Sequence, residues 1–122
     1  MPSAATVTVH AVRFTAFDEE HWSSSSVYSA FYDKSTALEF KAYLDGDDAS
    51  VDATEPAAIF YSVETFNVRD RRTPACAGAG FAGMRLRNRP NHEEYRIIGI
   101  YDTKDAAMAD GMTDAMAMDS RD

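Results

Sequence analysis

The segment from Gly78 to Gly83 reads Gly-Ala-Gly-Phe-Ala-Gly and fits the G-x-G-x-x-G pattern of loops that bind the phosphates of a dinucleotide. Such a loop must follow a buried strand directly and must begin a helix whose N-terminus faces the pyrophosphate. Here the residues after Gly83 alternate in polarity and end at Pro90, which is typical of a strand. We therefore interpret the glycines as a turn or a mobile loop and expect no cofactor.

Side chains that bind metals or act as nucleophiles are few. His21 and His92 each adjoin acidic residues, but consecutive residues of an extended chain point in opposite directions, so the spacing encodes no metal site. Cys76 lies near several arginines, which favour the reactive thiolate, yet the sequence places no histidine or orienting acid beside it. We expect no catalytic residue and no metal, and a small enzyme stays only as an alternative.

Arginine forms the most distinctive pattern. Seven of the nine arginines lie between residues 69 and 96, so that segment carries a charge of +4 and the rest of the chain −12. Three of them recur at steps of two, which on a strand puts their side chains on one face about 6.6 Å apart. Arginine pairs with carboxylate or phosphate in bidentate fashion. The candidate partner-binding residues are Arg71, Arg72, Arg85, Arg87 and Arg89. The alternative is that these arginines neutralise the acidic helices of the chain itself.

The elements that would position these residues contain an internal repeat. Val27 to Phe40 and Arg96 to Ala109 align without gaps, and each passes from a strand-like run through Tyr-Asp into a helix-like pattern. The aspartates, Asp33 and Asp102, are predicted N-caps of the two helices. Tyr32 and Tyr101 stand at equivalent strand ends and are candidates to line a ligand cleft between the helices.

Each of these units is preceded by another strand candidate, at residues 6–17 and 57–68, which predicts the order β-β-α twice. The second helix would carry a stripe formed by Met108, Met112 and Met116. We predict a single α+β domain with a mainly antiparallel sheet and two helices packed side by side on one face. Repeat 1 covers about 6–46, an acidic linker 47–56, and repeat 2 about 57–118 with a glycine- and arginine-rich insert at 69–94.

The totals exclude several classes of protein. The 122 residues suit one domain, and a single cysteine allows no internal disulfide. The first residues lack a basic region followed by an apolar run, so we expect a cytoplasmic protein without a membrane partner. A net charge of −8 opposes direct binding to nucleic acid or to an anionic membrane.

Together these features favour a small acidic, non-enzymatic interaction protein of the inhibitor, adaptor or regulator type, such as phages and mobile elements encode. Its partner would be a larger protein, including one that binds nucleic acid, to which the acidic body presents carboxylates where phosphates bind. The main alternative is a module that binds an anionic small molecule or a nucleotide. A homodimer also stays open.

Overall fold

The computed structural model describes residues 5–17, 23–49, 58–72, 80–90 and 92–118. The elements in chain order are β1 (Thr6–Phe17), β2 (Ser23–Phe31), α1 (Lys34–Ala49), β3 (Ala58–Asp70), β4 (Phe81–Arg89), β5 (His92–Tyr101), α2 (Lys104–Ala109) and β6 (Asp114–Ala117). None of the described helices is both long enough and apolar enough to cross a membrane.

Four of the strands close into a barrel. β1 pairs antiparallel with β2 on one side and with β3 on the other. β5 then joins the two free edges, because residues 92–94 pair in parallel with β2 and residues 99–100 pair in parallel with β3. β4 pairs with β5, and β6 pairs with β4, so these two strands extend the sheet outward from the barrel. Closure leaves β2 and β3 without open edges where β5 meets them.

The predicted two-layer α+β fold is therefore wrong, and the structure is mostly strands around a closed four-stranded barrel. The helices do not share one face, since α1 contacts β1, β2 and β3 whereas α2 contacts β4, β5 and β6. The misassigned element is residues 57–68, which we expected to pair within the second repeat. That segment belongs to β3 and pairs along its length with β1. The first strand of the second hairpin is β4, which lies inside the predicted insert.

Both hairpins carry a one-residue bulge before their helix. In the β1–β2 pair, Tyr28 is the extra residue, because Val12 faces Ser29 and the next residue, Arg13, faces Val27. In the β4–β5 pair, Ile98 is the extra residue. A bulge shifts the alternation of side chains by one. As a result Val27 and Ala30 both reach the same buried core although they are three residues apart.

The helix ends follow local chemistry. The carboxylate of Asp33 accepts hydrogen bonds from the backbone and the hydroxyl of Thr36 at 3.0 and 2.9 Å, which confirms the first predicted N-cap. These bonds lower the pKa of Asp33. At α2 the cap is Thr103 rather than Asp102, since the Thr103 hydroxyl accepts from the backbone N–H of Ala106.

The predicted methionine helix is also wrong beyond Ala109. Gly111 has a positive φ of 87°, which reverses the chain direction after α2. Met112 is then buried in a small cluster with Tyr101, and Met116 belongs to β6, where it faces Ala82 of β4. The unpaired edge of β4 offers this segment backbone hydrogen bonds that outweigh its weak helix propensity.

The buried side chains form three clusters. The largest lies within the barrel and under β4 and contains Val9, Ala11, Val27, Ala30, Phe66, Val68, Ala82, Met84, Ile97, Ile100 and Met118. A second cluster lies between the barrel and α1, and a third lies under α2. Two polar residues, Arg13 and Ser25, are also buried, and Arg13 contacts acids of the candidate site.

Candidate functional site

The arginine row, defined as Arg85, Arg87 and Arg89, lies on β4 with all three residues exposed. Its members alternate with Leu86 and Asn88, so the three side chains leave the same face of the strand. The opposite residues on β5 share that face. They are Arg96, Glu94 and His92, respectively. The row and its neighbours thus form one mixed but mainly cationic surface.

The row has no carboxylate partner of its own within the described ranges, where no acidic oxygen lies within ion-pairing distance of these three side chains. Glu94 is the acid directly opposite Arg87, but its carboxylate faces Arg13 and His92, each at 3.8 Å. Among the described residues, internal ion pairing therefore involves Arg72 and Arg96 but not these three arginines.

The outer edge of β4 is open along most of the row. β6 pairs with β4 only from Phe81 to Met84, and the hydroxyl of Thr113 accepts one more hydrogen bond from the backbone N–H of Leu86. Beyond Leu86, no described strand pairs with this edge. The same segment thus offers both unpaired backbone groups and a row of guanidinium groups.

Arg13 lies at the centre of a polar network behind the row. Its side chain is buried, with 4% of the residue exposed, and it contacts β2, β3 and β5. Nε and Nη2 donate to the hydroxyl of Ser25 at 3.2 and 2.9 Å, and Nε lies 3.4 Å from the carboxylate of Glu64. Nη1 is buried with no hydrogen-bond partner among the described residues. Burial lowers the pKa of Arg13, although Glu64 and Glu94 oppose the shift.

This network reaches the surface through two acids. Glu64 faces both Arg13 and, at 3.9 Å, Arg96, whose guanidinium also lies over the ring of Phe66. Glu94 faces Arg13 and His92. The buried charge therefore lies beside Glu94, the acid opposite Arg87, whose carboxylate faces Arg13 and His92 rather than the row. Sequence reasoning missed Arg13, although its position two residues after Ala11 in an alternating strand was the available signal.

Ser23, His92 and Glu94 stand in the order of a serine, histidine and acid triad. Ser23 Oγ lies 2.7 Å from Nδ1 of His92, but Nε2 of His92 lies 3.8 Å from Glu94. That second distance is too long for the hydrogen bond that orients a catalytic imidazole. Glu94 also faces the guanidinium of Arg13, so the arrangement serves the polar network.

The other two candidate arginines differ from the row. Arg72 donates to both carboxylate oxygens of Asp70 at 2.8 Å and to the hydroxyl of Tyr32 at 2.8 Å. Its guanidinium also lies 5.0 Å from the centre of the Tyr32 ring. Arg71 is exposed, and its backbone N–H donates to the carbonyl of Ile100. Arg72 is thus held within the fold, and of this pair only Arg71 has an exposed side chain.

The two tyrosines do not form the predicted cleft between the helices. Tyr32 packs against the barrel core and accepts the hydrogen bond from Arg72. Tyr101 is buried under α2, where its hydroxyl donates to the carboxylate of Asp110. Burial first, and then this hydrogen bond, raises the pKa of Tyr101 to about 12. Because α1 and α2 cover different strands, each tyrosine belongs to its own cluster.

Several sequence features lie outside the described residues, including His21, Cys76 and Gly78. Gly80 is described and has a positive φ of 127°, and Gly83 lies inside β4. A strand rather than a helix therefore follows the glycine segment. Within the described ranges, no three histidine, cysteine, aspartate or glutamate side chains are placed to hold a metal ion. The chain matches no protein family model, and no curated protein and no solved structure matches it.

Proposed function

We propose that this chain is a non-catalytic interaction protein that binds an acidic segment of a larger protein through the arginine row. The observation that carries the proposal is the combination of three exposed arginines on one face with no ion-pairing carboxylate among the described residues. Guanidinium groups bind carboxylates in bidentate fashion, so this face suits an acidic peptide. An inhibitor or adaptor of this kind requires no reaction centre.

The open edge of β4 supports an extended conformation for the bound segment. An extended peptide adds to an exposed sheet edge by backbone hydrogen bonds and places alternate side chains on one face. Carboxylates at every second position would then match the spacing of Arg85, Arg87 and Arg89. The steps of two in the row and in the ligand arise from the same strand geometry.

The charge of the whole chain favours a short acidic segment over a long polyanion. The region around the row is positive within a chain whose net charge is −8. A long nucleic acid would extend over the negative remainder, where its phosphates would be repelled. An acidic peptide of a few residues covers only the row. The negatively charged rest of the chain attracts a partner that carries a basic surface beside the acidic segment.

A defined peptide tests the proposal directly. We expect a peptide with glutamate at three alternate positions to bind the chain and the matching glutamine peptide to bind much more weakly. Calorimetry at low ionic strength measures both affinities, and the difference should shrink as salt screens the charges. Equal binding of the two peptides would contradict the proposal, as would tighter binding of a short single-stranded oligonucleotide.

A matched pair of variants assigns the binding to the row. The double variant Arg87→Gln and Arg89→Gln should weaken the glutamate peptide about tenfold, because two guanidinium contacts are lost. The control is the double variant Lys34→Gln and Arg69→Gln, which removes the same charge from exposed positions outside the candidate partner-binding residues. Equal losses in both variants would show that only net charge matters.

A hydrolase built on Ser23, His92 and Glu94 is the second candidate, since the 2.7 Å contact between Ser23 and His92 favours it. A fluorophosphonate reagent labels serines that a neighbouring base activates and does not label other serines. We expect no labelling of Ser23 under conditions that label a control serine hydrolase. Labelling that disappears in the His92→Gln variant would replace the binding proposal with an enzymatic one.

A further inference from the structure

A second candidate surface lies between α1 and β2, away from the arginine row on β4. The aromatic groove, between α1 and β2, has a volume of about 630 Å³. Its lining residues are Tyr28, Ser29, Phe31, Thr36, Glu39, Phe40, Tyr43 and Leu44. Phe31 and Leu44 are buried, whereas Tyr28 and Tyr43 are 47% and 67% exposed. The groove thus has a packed apolar base and two exposed tyrosines at its rim.

The bulge in β2 accounts for one wall of this groove. Tyr28 is the extra residue in the β1–β2 ladder, and bulges redirect side chains out of the regular alternation. The Tyr28 ring contacts the Phe40 ring with centroids 5.6 Å apart, and Phe40 stacks on Tyr43 at 6.4 Å with an angle of 9° between the rings. Rings from both elements therefore form one connected aromatic surface.

The charge of the groove identifies its occupant. Glu39 is the only charged residue among those that line it, and its carboxylate pairs with no described residue. Asp45, another carboxylate on α1, differs from Glu39 because it forms an ion pair with Lys41. A carboxylate beside several aromatic faces attracts an organic cation, since both the charge and the ring quadrupoles favour it.

We infer that the aromatic groove binds a lysine or arginine side chain of a partner protein. The alkyl stem of such a side chain packs on apolar rings while its charged end stays near a carboxylate. Tyrosine, the residue type at the rim, is among those enriched in protein interfaces. The negative charge of the chain steers a basic partner toward this surface. This inference does not rest on the arginine row.

The test compares peptides that differ only in charge. A short glycine- and serine-flanked lysine peptide is titrated against the isotopically labelled chain, beside the same peptide with norleucine in place of lysine. We expect the lysine peptide to shift the backbone amide resonances of Ser29, Glu39 and Tyr43, and to bind about five- to thirtyfold more tightly than the norleucine peptide. Equal affinities, or no shifts at these residues with either peptide, would overturn the inference.

Variants separate the two contributions. Glu39→Gln and Tyr43→Ala should each weaken the lysine peptide about three- to tenfold, since one removes the charge and the other an aromatic face. Leu38→Ala is the control, because Leu38 is also exposed on α1 but does not line the groove. A loss as large in the control would show that the effect comes from the helix and not from the groove.

The free small cation choline is the third ligand in the same titration. If choline binds as tightly as the lysine peptide, the occupant is a small organic cation and the assignment to a partner side chain is wrong. The glutamate peptide that tests the arginine row should bind the Tyr43→Ala variant unchanged. Each of the two binding proposals can therefore be rejected independently of the other.

Discussion

Arg13 and the arginine row carry the same side chain in opposite surroundings. Arg13 is buried and lies against two acids and a serine, whereas Arg85, Arg87 and Arg89 are exposed without a described acidic partner. The Arg13 guanidinium is buried against residues of its own chain, where it is the shared counter-charge of Glu64 and Glu94. The three arginines of the row are the ones that we propose to bind a partner.

Burial, and not residue type, separates the arginine that is paired within the fold from the arginines that we propose to bind a partner. Arg72 is intermediate, since it pairs with Asp70 in bidentate geometry near the surface of the barrel. Replacing Arg13 should therefore reduce stability most, replacing Arg72 less, and replacing the row least. Ligand binding should be reduced most by replacing the row and least by replacing Arg13.

Replacing Arg13 should have the largest effect on stability. Arg13→Met removes the charge but keeps much of the volume, and it leaves Glu64 and Glu94 without the guanidinium that lies beside both of them. We expect the free energy of unfolding to fall by about 3 kcal/mol, at the lower end of the range for a broken buried ion pair because both acids retain solvent contact. Urea denaturation measures the change. A variant as stable as the parent would show that the network contributes nothing net.

Replacing Arg72 should have an intermediate effect that depends on pH. Arg72→Met removes the hydrogen bonds to Asp70 and Tyr32 and should lower the free energy of unfolding by about 1–2 kcal/mol near neutral pH. The hydrogen bonds from Arg72 hold the pKa of Asp70 below its ordinary value of 3.8. A lowered carboxyl pKa stabilises the fold above the unfolded-state pKa, and that contribution is lost as pH falls through the folded-state value. The difference between parent and variant should therefore shrink as the pH falls below 3.8, and a constant difference would contradict this assignment.

Tyr101→Phe should have a smaller effect of the opposite pH sign. The variant loses the hydrogen bond to Asp110, which contributes about 1 kcal/mol. The pKa of Tyr101 is raised from 10.0 to about 12, so the Tyr101 hydroxyl of the parent protein keeps its proton to a higher pH in the folded state than in the unfolded state. That stabilisation is complete below pH 10.0 and is lost as pH rises toward about 12. Ultraviolet titration should show one fewer late-ionising tyrosine in the variant than in the parent, since the pKa of Tyr32 is also raised.

The arginine row should be the least sensitive to replacement. Gln at all three positions should change the free energy of unfolding by less than about 0.5 kcal/mol, as is usual for exposed side chains without partners. Thermal and urea denaturation measure this against the Arg13→Met variant. A large loss of stability with unchanged peptide binding would assign the row to internal neutralisation and would remove the distinction from Arg13.

Local features of the fold were predictable from particular residues. The alternation of Val, Thr and Phe marks β1 at the predicted residues 6–17, and the strand predicted at 57–68 is observed as Ala58–Asp70. Asp33 caps α1 as expected. These features depend on neighbours within a few residues, which is why a sequence pattern carries them.

Pairing between strands was not predictable in the same way. β3 reads as the start of a second repeat, yet it pairs with β1 about 50 residues earlier. The segment after Gly111 reads as a weak helix, yet it pairs with the edge of β4. A strand's own pattern states that one face is buried but does not state which edge will pair with it.

A strand pattern with arginines at every second residue is enough to place Arg85, Arg87 and Arg89 on one face, because a period of two is a property of any extended chain. The charge contrast between that segment and the rest is likewise a property of the amino-acid sequence. The burial of Arg13 and the exposure of the row depend instead on tertiary contacts, since the barrel has an interior only after β5 bridges β2 and β3. Burial arises from contacts between distant segments, and those contacts are formed only when the barrel closes.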